Sequence, residues 1–487
     1  MLASKRVLVA GLGVTGKAVV AALEGLPETV KPALVTTLDR VNPLATFAHT
    51  DQVPLADIDL IVVSPGWAPS SDLLVGASDR GIEIISEIEL AWRLRVKTTA
   101  TGEPAPWLGL TGTNGKTTTV QMLVDMLTAS GKHTVAVGNV GTPAITAALD
   151  PTLDVLALEL SSFQLHFTST MSLHAGAVLN LAPDHLDWHG SFKNYADDKA
   201  KIFAHAQVAC VYNVQDSATM KMVAEADVQD GARAIGFTLG APERGQLGLI
   251  EDVLVDRAFH LPVDTPGRHT QAAEIGTLAD LAHLAGPSGH PAPHTVANAL
   301  AAAALARSVG VSARAVQTGL RGFTPDGHRM TAIGSLEVPG GAVAFFDDSK
   351  ATNPHAAAAA LTSFADGTVV WIAGGDAKGL DLTELVAGVH QKLRGVVVIG
   401  EDQQDILHAL AQHGPAIPVT AIAPGDTGGI MDRAVAAAVE LARSGDTVLL
   451  APACASMDQF VSYADRGDRF TASVLAHLRD VGQAPQA

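Results

Sequence analysis

The sequence predicts an α/β fold divided into three domains. The chain has 487 residues, and at about 150 residues per domain this length corresponds to roughly three domains. Hydrophobic residues make up 47% of the chain and charged residues 17%, as in globular proteins with a substantial core. Short apolar runs alternate with helical patterns along the chain. This alternation favours mostly parallel sheets covered by helices.

Composition argues against several classes of partner. The 50 acidic residues outnumber the 32 basic residues, and the formal net charge of −18 disfavours nucleic acid and anionic membrane surfaces. Cys210 and Cys454, the two cysteines, are too far apart in sequence for a CxxC metal site and form no disulfide framework, which fits a reducing cytoplasm. No apolar run reaches about 18 residues, so we expect no membrane span. We therefore expect a cytoplasmic protein that binds neither nucleic acid nor a membrane, and we predict separately that it is a monomer.

The first domain begins with a glycine-rich turn. A predicted strand at residues 6–10 leads into Gly11-x-Gly-x-x-Gly16 and a helix that extends to about residue 23. A pyrophosphate group can bind at the N-terminus of such a helix, and both NAD and UDP contain one. Asp39, near the end of the second predicted strand, can accept a hydrogen bond from a ribose hydroxyl group. A nicotinamide-dependent oxidoreductase is therefore one hypothesis, and a tight turn without a ligand is another.

The second domain begins with a phosphate-binding loop, residues 111–117, TGTNGKT. An apolar run leads into the loop and a helical pattern leads out of it, as in nucleotide-binding loops. Gly112 and Gly115 allow backbone N–H groups to surround phosphate oxygens. Lys116 can reach the β- and γ-phosphates, and the Thr117 hydroxyl can bind Mg²⁺. The glycines are closer together than in the common pattern, so a tight turn with a surface lysine is the alternative.

Polar residues follow the next predicted strands of this domain. Glu159 ends a strand beside the phosphate loop, where a carboxylate can bind Mg²⁺; a solvated strand end is the alternative. His185 follows another strand in an acidic loop. Lys199 lies on a predicted helix at residues 191–203, where a solvated face is the ordinary interpretation. Residues 232–292 contain only short β-like pieces, and an alanine-rich helix at residues 295–308 follows.

The third domain repeats the alternation of strands and helices. Predicted strands lie at residues 343–346, 369–372, 396–399, 418–421 and 447–450. Three of them end in polar clusters at residues 347–353, 374–378 and 452–460. Because the carboxyl ends of parallel strands meet at one edge of a sheet, we expect these clusters to converge on one crevice.

These motifs together resemble the Mur ligase family of peptidoglycan synthesis. The resemblance rests on the phosphate loop and on residues 158–165 (LELSSFQL), 348–353 (DSKATN) and 451–460 (APACASMDQF), and it covers nearly the whole chain apart from residues 232–292. It implies a Rossmann-like domain at residues 1–98 for a UDP substrate. It also implies a P-loop ATPase-like domain at residues 99–324, and a Rossmann-like domain at residues 325–487 for an amino acid and part of ATP.

The last three motifs match the members that add D-glutamate. The resemblance therefore implies an ATP-dependent amide ligase that joins D-glutamate to UDP-N-acetylmuramoyl-L-alanine through an acyl phosphate. It implies ATP, two Mg²⁺ ions and a carbamylated Lys199 as cofactors. Catalytic roles fall to Lys116, His185 and Lys199, and metal binding falls to Thr117, Glu159, His185 and the Lys199 carbamate.

The resemblance also assigns three binding sets by position. The ATP set is Gly112, Thr113, Asn114, Gly115, Lys116, Thr117, Thr118, Asn298, Arg329, Asp348 and Lys350. The UDP-substrate set is Val14, Thr15, Gly16, Thr36, Ser64, Asn139, Ser161, Gln164 and His185, with the uracil contact open among Thr36, Thr37 and Asp39. The D-glutamate set is Thr352, Lys378, Ser456 and Tyr463. A non-catalytic nucleotide-binding regulator is the remaining hypothesis, and joint retention of Lys116, Glu159, His185, Lys199 and Lys350 argues against it.

Overall fold

Three separate sheets organise the chain. A computed structural model describes residues 2–285, 289–425 and 428–483. The sheets have four, nine and six strands in chain order, and most neighbouring strands are parallel. Two compact units result: the first contains the four- and nine-stranded sheets. The second contains the six-stranded sheet and consists of the described residues within 284–292 and 324–487. The predicted α/β class is confirmed.

The four-stranded sheet has the order β2-β1-β3-β4, and all its pairs are parallel. The strands are β1 Arg6–Ala10, β2 Leu34–Leu38, β3 Leu60–Val63 and β4 Glu83–Ser86. The helices are α1 Val14–Glu24, α2 Asp72–Ser78 and α3 Glu87–Leu94. The central strand β1 is buried almost throughout because helices cover both faces of a parallel sheet.

The nine-stranded sheet contains the phosphate loop. Its strands are β5 Trp107–Thr111, β6 Thr134–Gly138, β7 Val155–Glu159, β8 Ala175–Val178, β9 Ala209–Asn213, β10 Arg233–Phe237, β11 Gln246–Ile250, β12 Val253–Asp256 and β13 Ala273–Thr277. The order is β13-β12-β11-β10-β9-β8-β5-β7-β6. The pairs β11–β12 and β12–β13 are antiparallel and the others are parallel. Strands β10 to β13, which lie in the segment for which the sequence predicted only short β-like pieces, thus extend one edge of this sheet.

Eight helices of the described residues belong with this sheet: α4 Lys116–Ala129, α5 Ala144–Ala148, α6 Ser162–His166, α7 Leu186–His189, α8 Phe192–Ala200, α9 Ser217–Ala224, α10 Pro293–Ser308 and α11 Ala313–Gly322. Close packing fixes α4, which begins within the phosphate loop, at Lys116. A Cβ atom on Gly319 of α11 would lie 2.6 Å from the Met126 backbone of α4. The alanine-rich α10 is buried along most of its length and also packs on α4. These contacts hold the base of the phosphate loop in place.

The six-stranded sheet has the order β14-β15-β19-β16-β17-β18. Its strands are β14 Thr331–Val338, β15 Gly341–Asp347, β16 Val369–Gly374, β17 Leu393–Ile399, β18 Val419–Ala421 and β19 Thr447–Leu450. Its helices are α12 Pro354–Leu361, α13 Thr383–Val389, α14 Gln404–His413, α15 Ile430–Leu441 and α16 Tyr463–Asp480. The five predicted strands are present. The antiparallel edge strand β14 was not predicted.

No helix in the described ranges combines the length and the apolar character that a membrane crossing requires.

Candidate active site

The phosphate loop has the backbone geometry that its glycines predict. Gly115 has φ +81°, a left-handed conformation, and a Cβ atom there would lie 2.5 Å from the Asn298 side-chain oxygen. Glycine is therefore required both by the backbone and by the neighbouring side chain. Asn180 holds the loop from the other side, because its Oδ1 accepts from the Asn114 backbone N–H at 2.9 Å and its amide donates to the Asn114 carbonyl at 3.1 Å.

Two lysines converge on this loop. Lys116 Nζ donates to the carbonyl oxygens of Gly112 at 3.0 Å and Thr113 at 2.8 Å. Lys199 Nζ donates to the same Gly112 oxygen at 2.9 Å and to Thr111 Oγ1 at 3.2 Å. Both side chains thus lie against the phosphate loop. For Lys199 this differs from the solvated helix face that its local sequence pattern ordinarily indicates.

The environment of Lys199 favours a neutral amine. The residue is 2% exposed. Burial, and after it the charge of Lys116, holds the pKa of Lys199 well below its usual value, while Asp184 and Glu159 oppose this shift. The Tyr195 ring lies 4.8 Å from Lys199 Nζ, one helical turn away on α8. A lowered pKa increases the fraction of a lysine amine that is neutral and nucleophilic.

Glu159 ends β7 beside the phosphate loop and is 1% exposed. Its Oε1 accepts from the Asn139 amide at 2.8 Å, and its backbone oxygen accepts from the Asn139 N–H at 2.9 Å. Its Oε2 is buried and has no hydrogen-bond partner among the described residues. A buried carboxylate oxygen in this condition is costly unless a cation or donor reaches it. It is the kind of atom that a divalent cation would bind.

The described side chains alone do not form a complete metal site. Within residues 2–285, 289–425 and 428–483, no group of three or more His, Cys, Asp or Glu side chains is arranged to hold a metal ion. Mg²⁺ commonly keeps several waters and takes its other ligands from one or two carboxylates and substrate phosphates. Glu159 and the buried Thr117 fit such a partial set.

His185 occupies a strained position just before α7. Its backbone φ is +52°, which is uncommon for a residue other than glycine. Its N–H donates to Asp184 Oδ1 at 3.0 Å, and its ring packs edge-to-face on Phe163 with centroids 4.8 Å apart. Such conformations cost free energy and cluster at functional sites.

The glycine-rich turn of the first sheet is closely packed. A Cβ atom on Gly16 would lie 1.8 Å from the Gly11 carbonyl oxygen, and Ser64 Oγ donates to that oxygen at 3.1 Å. The exposed Val14 and the half-buried Thr15 begin α1 at this turn. The predicted residues Gly16, Ser64, Val14 and Thr15 are therefore neighbours at one strand edge.

The three candidates for the uracil contact already have partners. Thr36 is buried, with Oγ1 3.4 Å from the Val7 oxygen, and Thr37 Oγ1 accepts from the Thr46 N–H at 2.8 Å. Asp39 accepts from the Leu12 N–H at 2.6 Å, a bond that lowers the pKa of its carboxyl group. Asp39 therefore shapes the glycine-rich turn directly. The uracil contact stays a prediction.

Residues 161–164 follow strand β7 of the nine-stranded sheet and lie near the glycine-rich turn of the four-stranded sheet. Ser161 and Gln164 form a capping box: Ser161 Oγ accepts from the Gln164 N–H at 3.2 Å, and Gln164 Oε1 accepts from the Ser161 N–H at 2.9 Å. Gln164 and Thr15 both line a small pocket. Two substrate-binding candidates from different sheets of the first unit thus lie together.

In the second unit, the three polar clusters come together at one sheet edge. Their strands β15, β19 and β16 are neighbours. Ala453 N–H donates to the Ala351 oxygen at 2.9 Å, and Asp376 and Ala455 exchange two backbone hydrogen bonds. Arg466, which no sequence motif indicated, is fully buried. Its guanidinium group donates to the hydroxyl and carbonyl oxygens of Ser349 and to the carbonyl oxygen of Cys454.

The predicted ATP and D-glutamate residues of this unit lie along these clusters. Burial raises the pKa of Asp348 to about 7, against the opposing charge of Arg329. Lys350 Nζ lies 5.1 Å from the Tyr463 ring, and the Thr352 N–H donates to the Lys350 oxygen. The remaining two residues follow β16 and β19: the half-buried Lys378, with φ +51°, and the buried Ser456.

Comparisons with known proteins agree with this architecture. The family model described as "Mur ligase middle domain" matches residues 110–306, and "Mur ligase, glutamate ligase domain" matches residues 328–454. The UDP-N-acetylmuramate-alanine ligase MurC from Thermotoga maritima has a TM-score of 0.55 at 17% identity over 97% of this chain and 100% of its own. That likeness concerns the fold. The fold and these matches place the chain among α/β ligases that are built on three sheets.

Similar sequences identify the family. The "UDP-N-acetylmuramoylalanine–D-glutamate ligase" of Streptomyces coelicolor is 49% identical over 96% of this chain and 98% of its own. The protein of the same name from Thermobifida fusca is 48% identical over 98% of this chain and 99% of its own. The chain belongs to the Mur ligase family, and the resemblance predicted from its motifs is confirmed.

Proposed function

We propose that this chain joins D-glutamate to UDP-N-acetylmuramoyl-L-alanine, using ATP, in the cytoplasmic synthesis of peptidoglycan precursors. The phosphate loop is the observation that best supports an ATP-dependent ligase reaction. There Lys116 and the buried Lys199 both donate a hydrogen bond to the Gly112 carbonyl oxygen, beside Glu159. The choice of D-glutamate and of the UDP substrate is supported by the relatives that carry this name at 48–49% identity. Mass spectrometry of the product formed from both substrates and ATP tests it.

ATP binding is proposed for the phosphate loop and its neighbours. The MurF ligase from Thermotoga maritima, with a TM-score of 0.53 and 17% identity, was solved in complex with ADP. The proposed ATP-binding residues are the phosphate loop and Asn298 in the first unit, and Arg329, Asp348 and Lys350 in the second unit. The proximity of Gly115 to the Asn298 side chain supports the inclusion of Asn298.

Magnesium is proposed at Glu159 and Thr117, with His185 at a second ion. The unpartnered Oε2 of Glu159 supports the first position. Bound Mg²⁺ would offset negative charge on the phosphoryl oxygens. Carbamylation would convert the Lys199 amine into an anionic carboxylate-like group, which suits Mg²⁺ better than an ammonium group does. The lowered pKa of Lys199 supports this modification.

The proposed reaction has two steps. A carboxylate oxygen of the L-alanyl group attacks the γ-phosphorus of ATP, which gives an acyl phosphate and ADP. The D-glutamate amine then attacks the acyl carbon, and inorganic phosphate leaves as the amide forms. Lys116 stabilises charge on the transferred phosphoryl group. The proton lost by the amine goes to His185 or to a phosphate oxygen.

D-Glutamate is proposed to bind in the second unit, at Thr352, Lys378, Ser456 and Tyr463. The convergence of the loops after β15, β16 and β19 supports this assignment. We also propose domains at residues 1–98, 99–324 and 325–487. Each of the three sheets falls within one of these ranges, and the matched family models begin at residues 110 and 328. We further propose that the enzyme is a monomer that binds no nucleic acid or membrane.

Two other functions remain testable. NADH binding by fluorescence would revive the oxidoreductase hypothesis based on the Gly11–Gly16 turn. That hypothesis leaves the phosphate loop without a role, and Asp39 is held by the backbone of Leu12. Absence of turnover with all substrates present would support the nucleotide-binding regulator.

A further inference from the structure

Glu87 is a buried carboxyl group between the two sheets of the first unit, and the reaction described above does not use it. It is the first residue of α3 and is 3% exposed. Its Oε1 accepts from the Ile145 N–H at the start of α5, at 2.6 Å. One carboxyl oxygen therefore forms a hydrogen bond that links α3 to α5, a helix of the nine-stranded sheet.

The other oxygen of Glu87 is unused. Its Oε2 is buried and has no hydrogen-bond partner among the described residues. Glu87 lines a small pocket together with Thr15, Ser86, Phe163 and Gln164. Thr15 and Gln164 belong to the proposed UDP-substrate set. The unpartnered oxygen thus belongs to a group that borders the proposed substrate site.

Glu89, two residues further along α3, shows that a buried carboxylate on this helix can have hydrogen-bond partners for both of its oxygens. Glu89 is also fully buried. Its carboxylate accepts from the N–H groups of Ser169 and Thr170, from the Thr170 hydroxyl and from Arg93 Nε. Glu87 therefore differs from Glu89 in keeping one buried carboxyl oxygen without a hydrogen-bond partner among the described residues.

The surroundings of Glu87 favour its neutral form. Burial raises the pKa of Glu87 to about 7, and the N–H groups of Ile145 and Ala144 oppose this shift. The helix α5 has no titratable side chain. The other titratable groups on α3 and on the elements packed against it have partners elsewhere or are exposed: Glu83 and Glu89 bind Arg93, His166 binds Asp198, and Lys17 and Glu24 are exposed.

We propose that protonated Glu87 donates a hydrogen bond from Oε2 to a neutral oxygen, an amide carbonyl or hydroxyl, in the sugar–peptide part of the UDP-linked substrate. This assignment rests on the proposed function, since it takes the substrate from there. An ionised Glu87 would instead place a negative charge beside a substrate that already carries a pyrophosphate and a carboxylate. Glu87 is thus a substrate-binding residue that selects an uncharged acceptor.

The test measures KM for UDP-N-acetylmuramoyl-L-alanine in the full chain from about pH 6 to about pH 9. Glu87→Gln keeps an acceptor for the Ile145 N–H and supplies a permanent N–H donor. We expect its KM to match the wild-type KM at the low end of this range. Above about pH 7 the wild-type KM should rise relative to that of Glu87→Gln. Glu87→Leu should raise KM about threefold to tenfold at low pH, the worth of one hydrogen bond.

Glu89→Gln is the matched control, because its oxygens are already occupied within the protein. It should leave the pH dependence of KM as in the wild type. A wild-type to Glu87→Gln ratio of KM that does not change with pH would overturn the inference, and this comparison stands even if Glu87→Leu does not fold. Failure of the proposed function is distinguishable, because the wild type would then show no turnover with this substrate at any pH.

Discussion

Replacement of Gly115 by alanine tests the geometry of the phosphate loop. The left-handed backbone at φ +81° costs a residue other than glycine about 1–2 kcal/mol. The added Cβ would also lie 2.5 Å from Asn298 Oδ1, whereas ordinary contact begins at 3.4 Å, so the Asn298 amide or the loop must move by roughly 0.9 Å. Both groups belong to the proposed ATP site. We therefore expect a loss of ATP binding in addition to a loss of stability.

Gly131 provides the matched control. It follows α4 with φ +82°, and a Cβ atom there would meet nothing within 4 Å. Gly131→Ala should lose about the same 1–2 kcal/mol in urea unfolding and keep its KM for ATP. Gly115→Ala should raise that KM tenfold or more, which corresponds to about 1.4 kcal/mol. Equal kinetic constants in the two variants, within about twofold, would refute the reasoning.

Three further substitutions test individual side chains. Lys116→Ala should abolish phosphate release from folded protein because the phosphoryl charge loses its cation, and full activity would contradict this role. Lys199→Ala should lose turnover that bicarbonate does not restore, whereas a small carboxylate such as acetate should restore part of it; unchanged turnover would refute a role for the carbamate. Glu87→Gln should flatten the pH dependence of stability. Because the pKa of Glu87 rises from 4.5 to about 7 on folding, the native state keeps a proton that the unfolded state has lost. The wild-type free energy of unfolding should therefore fall as pH rises through this window, by at most about 3 kcal/mol, and equal slopes in urea titrations of both proteins would contradict it.

The sequence predicts most of the fold because strands and helices alternate with strong local signals. The strand β1 and the helix after the phosphate loop lie where the apolar runs and glycines indicate. Residues 232–292 gave no such signal. Strands β11 to β13 are four or five residues long and lie toward one edge of the sheet, and β11 and β13 each include an exposed residue, so their apolar pattern is weak.

The sequence predicts which residues belong to the candidate site, but it does not predict their burial or their contacts. Polar residues after strands are visible in the sequence, and their convergence follows from parallel pairing. The burial of Lys199 is not visible, because an isolated helical pattern with lysines resembles a solvated face. The unpaired oxygen of Glu87 and the loop contacts of Arg466 likewise depend on tertiary packing between distant segments. Those properties appear only once the sheets are assembled.

The central claim is tested most directly by phosphate release from ATP in the presence of UDP-N-acetylmuramoyl-L-alanine, Mg²⁺ and bicarbonate. The reaction is run with D-glutamate, with L-glutamate and with no amino acid. We predict that release requires D-glutamate. Release that depends on another amino acid would keep the ligase chemistry and refute the proposed substrate. No release from folded protein under any of these conditions would contradict the account.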